Sequence, residues 1–154
     1  MTSYAVQVRQ LDSVPLAVIK RQARASELSR LVPEFCGLVW NAVKAQAAKG
    51  GRHVAIYRDG VDGNINVEVG VELLSPFSEQ GDVVLSATPA GAVASTTHLG
   101  PYGGLGGAYD AIHRWSQANN RPLAGTKWEI YGHWLPEWDT NPSQIRTDVF
   151  YLLA

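Results

Sequence analysis

The segment "KWEIYGHW", Lys127 to Trp134, decides how this chain is read. Its large apolar side chains, Trp128, Ile130 and Trp134, recur at every second or fourth position, which predicts a strand. Glu129, Tyr131 and His133 then share the opposite face, a carboxylate in line with a phenol and an imidazole.

Working outward, the chain repeats itself. "YAVQVRQLDSVPLAVIKRQ" reads as one or two strands broken at "DSVP". A helix is predicted from Ser26 and Glu27 to Lys49. Leu28, Leu31, Val32, Phe35, Leu38, Val39, Ala42 and Val43 fall at three- and four-residue spacing, and Gly50 with Gly51 ends it. Pro33 is tolerated there if Ser29 or Arg30 caps the main helix and puts it in the first turn. "HVAIYRD" and "INVEVGVEL" are strands around the turn "GVDGN". The second half has the same order: strands in "GDVVLSATPAGAVASTTHLG", a helix over Gly104 to Asn119, then strands "TKWEIYGHW" and "SQIRTDVFYLLA".

Overlaying the halves sets Ala55 on Glu129, Tyr57 on Tyr131 and Glu68 on Asp148. In the helices, Leu28 falls on Leu105 and Phe35 on Ile112. The expected fold class is therefore α+β: one domain over residues 1–154, built from two pseudo-symmetric β-α-β-β repeats (about 4–73 and 82–154) with mainly antiparallel sheet. Two unrelated α+β halves are the alternative. Each helix must cover one sheet face. Val54, Ile56, Val67, Val69 and Val71 are expected under the first helix. Trp128, Ile130, Ile145, Thr147, Val149 and Tyr151 are expected under the second. The other faces collect Tyr57, Glu68 and Glu72, and Glu129, Tyr131, His133, Arg146, Asp148 and Phe150, and are expected to meet at a central ligand groove. Carboxylates beside aromatic rings suit a lipophilic cation. The plainer reading of Glu129 is a pairing with Arg146 or Lys127 on a solvated face.

Bulk properties set the limits. A length of 154 residues with 45% apolar and 18% charged side chains is that of one soluble domain with a real core. A net charge of -1 supplies no global attraction for nucleic acid or an anionic membrane. No helix-turn-helix segment is left over, so direct DNA readout is not expected. The lone Cys36 excludes an internal disulfide, and no membrane span or signal h-region is present, so a cytoplasmic location is expected.

Three segments, "HLGPYGGLGGAYDAIHRW", "WEIY" and "DTNPSQIRTDVFYLL", resemble the GyrI-like family. That family includes the DNA gyrase inhibitor protein and the effector-binding domains of AraC- and MerR-type multidrug regulators. His98, Gly100, Pro101 and Tyr102 match its His-x-Gly-Pro-Tyr segment. Trp128, Glu129 and Tyr131 match a Trp-Glu-x-Tyr strand, and Arg146, Thr147, Asp148 and Val149 an Arg-Thr-acidic-Val strand. The resemblance implies binding of hydrophobic, cationic or planar aromatic compounds by Glu129. Tyr131 stands beside it, with Tyr102 or Tyr57 as stacking walls and Glu68, His133, Phe150 and Trp134 completing the expected ligand-binding set. Because the chain starts at the module's first strand, a stand-alone member without a DNA-binding domain is expected.

Two other activities follow from the resemblance. Some stand-alone members resemble hydrolases that open the cyclopropane of alkylating natural products. Glu129 would then hold a water as general base, and Tyr131 or His133 would supply a proton. A gyrase-inhibitor-like member would instead dock on a protein partner, for which the sequence shows no long apolar patch or acidic tail. No cofactor is implied, and no histidine pair has metal-ligand spacing with a carboxylate. "GPYGGLGG" lacks the Lys-Ser/Thr ending of a phosphate loop, and His98 before it is expected to support the strand-to-helix turn. Cys36 is expected to be an inert core thiol. Trp134 and Trp138 either cover the groove or cap the core.

Overall fold

The computed structural model describes residues 3–154. In chain order its elements are β1 (Gln7–Leu11), β2 (Pro15–Ala23), α1 (Leu28–Ala45), β3 (Gly50–Asp59) and β4 (Ile65–Leu73). They continue with β5 (Val84–Ala87), β6 (Gly91–Leu99), α2 (Leu105–Ala118), β7 (Leu123–Tyr131), the single turn α3 (Glu137–Thr140) and β8 (Arg146–Leu153). The eight strands and helices make an α+β fold, and every strand pair described below is antiparallel.

Two compact units result, one of residues up to Leu11 with Ala90–Ala154 and one of Asp12–Pro89. In the first, β1 pairs with β6, β6 with β8 and β8 with β7. In the second, β5 pairs with β2, β2 with β4 and β4 with β3. The stretch read as one or two strands is thus two, and they belong to different units. The break is held by Thr88, whose hydroxyl accepts from the Val14 amide at 2.8 Å while Ser13 donates to its carbonyl at 2.7 Å.

The two units share a strand register, although residues up to Leu11 group with the second half and β5 with the first, unlike the expected bounds of 4–73 and 82–154. Ala55 pairs with Val69 and Tyr57 with Val67, just as Glu129 pairs with Val149 and Tyr131 with Thr147. Lys20 stands opposite Glu68, and Thr97 opposite Asp148. In the helices Leu31 and Phe35 are buried where Ala108 and Ile112 are buried.

The helices cover the β4 and β8 residues expected beneath them, Val67, Val69 and Val71, and Thr147, Val149 and Tyr151. On β3 and β7 they cover the opposite set of residues from the one expected. Antiparallel pairing keeps partners on one face, so Glu129 shares a face with Val149, and Trp128 with Phe150. α2 packs Ala108 and Ile112 on Ala94, Val149 and Leu153. It therefore covers the face of Lys127, Glu129 and Tyr131 rather than that of Trp128 and Ile130. Likewise Phe35 of α1 meets Arg21, and Trp40 meets His53, which sets α1 over His53, Ala55, Tyr57, Val67, Val69 and Val71, with Val54 and Ile56 on the other side. The cause is burial on both sides: Val54, Ile56 and Trp128 are fully buried although they face away from the helices. An apolar run buried on both faces carries no alternation to say which side meets a helix.

Two boundaries also differ from expectation. Pro33 lies inside α1, which starts at Leu28 after a 3-10 turn closed by the Arg24 amide donating to Glu27 at 2.9 Å. And β7 stops at Tyr131, with the Gly132 amide donating to the Arg146 carbonyl at 3.0 Å. β8 begins at Arg146, so His133 and Trp134 have no strand to pair with. Among the described residues no helix is long and apolar enough to cross a membrane.

Ile112→Ala should cost about 2–5 kcal/mol in urea melts, the scale of a truncated core side chain. Leu105→Ala, at a partly exposed position, should cost less. An unchanged Ile112→Ala midpoint would mean that α2 is not seated on Ala94 and Val149. The thiol of Cys36 is pushed up from 9.0 to about 12 by burial. It should therefore resist a thiol reagent at pH 8 until the chain is unfolded. Because the folded state keeps the proton longer than the unfolded chain, its stabilising contribution is complete below pH 9.0 and is lost as the pH rises toward about 12.

Candidate functional site

A carboxylate kept from water needs hydrogen-bond donors, and Glu129, 6% exposed, has two. Tyr131, two residues on along β7 and so on the same face, donates to Oε1 at 2.5 Å. Tyr109 of α2 donates to Oε2 at 2.6 Å. No ion pair reaches Glu129 among the described residues, so the expected alternative of pairing with Arg146 or Lys127 does not hold. Arg146 instead binds Asp148, Nε to Oδ1 at 3.2 Å. The ammonium of Lys127 lies 4.6 Å from the ring centroid of Tyr109 and 5.9 Å from that of Tyr151.

More aromatic groups extend the array. Tyr102 meets the Tyr131 ring edge-on, centroids 5.6 Å apart, and is 45% exposed, so the cluster reaches solvent. Tyr109 and His113 each meet Tyr151 edge-on, at 6.4 and 5.3 Å. Across from Tyr131 on the same face, Thr147 buries a hydroxyl that has no hydrogen-bond partner among the described residues.

Tyr102 is positioned by the turn that His98 supports, as expected. The His98 Nε2 is 2.9 Å from the Pro101 carbonyl, which only accepts, so this nitrogen carries a proton. In the neutral ring Nδ1 then accepts from the Tyr4 hydroxyl at 2.8 Å. Gly100 has φ +138°, a conformation that favours glycine, and a Cβ on Gly104 would stand 3.0 Å from the His98 ring, close enough that the ring would have to shift.

The other expected site residues are placed differently. Phe150 stacks on Trp128 at 5.4 Å on the sheet face away from Glu129. Glu68 and Tyr57 belong to the other unit: Glu68 is ion-paired with Arg58 and accepts from Ser86, and Tyr57 is buried on the α1 face. His133 is exposed beyond the strand end. Trp138 is 5% exposed and packs where a Cβ on Gly132 would sit, which makes it a core cap. Trp134 is 51% exposed, meets Trp138 edge-on at 5.3 Å and donates to Asp139 at 3.0 Å. Tyr109 was not anticipated, although its position four residues after Leu105 and three before Ile112 puts a phenol in the apolar stripe facing the sheet. No group of three or more metal-ligating side chains occurs among the described residues.

Tyr131→Phe keeps the ring and removes one of the two donors. It should cost about 1.5–3 kcal/mol at neutral pH, the range for a hydrogen bond to a charged group, read by denaturant melts. A cost near zero would mean that water replaces the phenol freely.

Comparison with known proteins follows the same outline. The family described as the GyrI-like small molecule binding domain matches residues 4–153. Among solved structures, the EcmrR C-terminal domain is similar at 19% identity and TM-score 0.78, over 99% of each chain. The EcmrR chain in its DNA complex matches over 97% of this chain at 18% identity and TM-score 0.78, and this chain spans 57% of its length. SAV2435 bound to tetraphenylphosphonium is similar at 13% identity and TM-score 0.66, over 97% of this chain and 94% of that one. A structure described as a hydrolase from Listeria innocua is similar at 8% identity and TM-score 0.64, over 97% and 91%. No curated protein sequence matches significantly. With 150 of its residues under one family description and the same α+β architecture in these structures, the chain belongs to the GyrI-like family of small-molecule-binding domains.

Proposed function

We propose that this domain binds hydrophobic organic cations, with Glu129 neutralising the charge and Tyr131, Tyr109 and Tyr102 supplying ring surface. The observation that carries this reading is a buried carboxylate whose two oxygens are held by phenols and, among the described residues, by no cation. Phenol donors keep such a group in place without cancelling its charge, so an arriving cation gains the full Coulomb attraction in a partly desolvated setting. The faces of the same phenols attract it as well. Lys127 supports the point from within the chain, because its ammonium already rests over the Tyr109 ring. SAV2435 offers tetraphenylphosphonium as a probe of the right class.

Glu129→Gln retains the outline and removes the charge. Calorimetry with tetraphenylphosphonium should show a loss of about 1–3 kcal/mol, roughly 5- to 150-fold in affinity. Neutral triphenylphosphine oxide should be bound nearly as before. If the variant keeps its affinity for the cation but stops converting an electrophilic substrate that the wild type hydrolyses, Glu129 serves as a base and the binding reading gives way to a hydrolase. If the wild type binds no cation below about millimolar, an affinity of only roughly 4 kcal/mol, the reading fails outright.

A further inference from the structure

The unit that carries Glu129 has a cavity of about 360 Å³ on the other face of its sheet, lined by Gln7 and Arg9 of β1, Ser95 and Thr97 of β6, and Arg146, Asp148 and Phe150 of β8. The pairing fixes its plan. Gln7, Ser95 and Phe150 stand level across the three strands. Arg9 lies two residues further along β1 at one end, and Thr97, Asp148 and Arg146 lie at the other.

The two ends differ in charge. At one, Asp148 accepts from Thr97 at 3.0 Å and from Arg146 at 3.2 Å, so a guanidinium and a carboxylate offset each other. At the other, Arg9 makes no hydrogen bond or ion pair among the described residues, and its charge is uncompensated in the wall. Between them Ser95 is 5% exposed, yet its hydroxyl has no protein partner among the described residues and faces a site with room for one. Phe150, held against Trp128 at 5.4 Å with the rings 15° apart, forms a fixed apolar wall.

We propose that this cavity binds a small organic carboxylate. Arg9 pairs with the carboxylate, Ser95 donates to it or to a neighbouring oxygen, and an aromatic or short aliphatic body rests on Phe150. A guanidinium matches a carboxylate in plane and can hold both of its oxygens. The volume is near the lower end of the roughly 300–1,000 Å³ of small-molecule sites, which suits a one- or two-ring acid. The unbalanced positive charge disfavours the cations that Glu129 would take, so the site is chemically separate from the one on the helix-covered face.

Amide and arginine side-chain NMR of the full chain, titrated with benzoate and 2-naphthoate, tests the assignment. Saturable shifts are expected at Arg9, Ser95, Thr97 and Phe150 below about 1 mM. Benzamide, the neutral counterpart, should bind at least tenfold more weakly. Arg9→Gln, at an exposed edge-strand position, should keep the wild-type spectrum and lose benzoate affinity about tenfold, the scale of one charge-assisted contact. The proposal is overturned if neither acid gives saturable shifts, if the shifts centre on other residues, or if Arg9→Gln binds benzoate as the wild type does.

Discussion

A carboxylate can be held out of water only where donors come to meet it, and the donors of Glu129 arrive from two elements. One is its own strand and the other is the helix above it. The Tyr109 bond therefore ties the seating of α2 to the strand. Ala108 and Ile112 must sit on Ala94 and Val149 for the phenol to reach Oε2. Val149 in turn stands opposite Glu129 in the β7–β8 register. A slip of one residue would turn Glu129 and Tyr131 together to the other face and leave the Tyr109 phenol without its acceptor. Core packing and site geometry are thus one constraint.

Much of this was legible in the sequence, for reasons that particular residues make clear. "INVEVGVEL" and "IRTDVFYLL" are bounded by turn signals and rich in β-branched residues, and they became β4 and β8. The overlay of Glu68 on Asp148 survived as an identical register because duplicated strands retain their pairing. Glu129 with Tyr131 was visible from spacing alone, since residues two apart on a strand share a face. The helix side was not visible, because Val54, Ile56 and Trp128 are as buried as the residues beneath α1 and α2. That is why Phe150 and Asp148 were grouped with Glu129, whereas the pairing sets them opposite Trp128 and Ile130. The end of β7 was equally hidden: Trp134 continues the apolar spacing, but nothing local says that β8 starts only at Arg146.

The two faces carry their charges by different rules. Away from the helices, each carboxylate has a guanidinium on a nearby strand position: Arg58 with Glu68, Arg52 with Glu72, Arg146 with Asp148. These pairs hold charge in place and leave little for a ligand to neutralise. Under α2 the donors to the carboxylate among the described residues are both neutral phenols. An ion pair there would have filled the charge requirement from within, whereas phenols satisfy the lone pairs and leave the charge itself unspent.

The duplication shows that these groups go together. In the other half, Ala55 stands at the position of Glu129, and the overlay of Leu28 on Leu105 sets Val32 at the position of Tyr109. Tyr57 remains at the position of Tyr131, buried within its unit. Where the carboxylate is replaced by a methyl group, the helix phenol is replaced by a valine, and α1 lies on an apolar surface of Val67, Val69 and Val71. That half is what the repeat needs in order to fold. The carboxylate, Tyr109 and the Lys127 ammonium are what the second half adds. A buried carboxylate contributes nothing to packing that alanine does not supply more cheaply. Its presence with matched donors in one repeat, and its absence together with the helix phenol from the other, supports the proposed ligand role of Glu129.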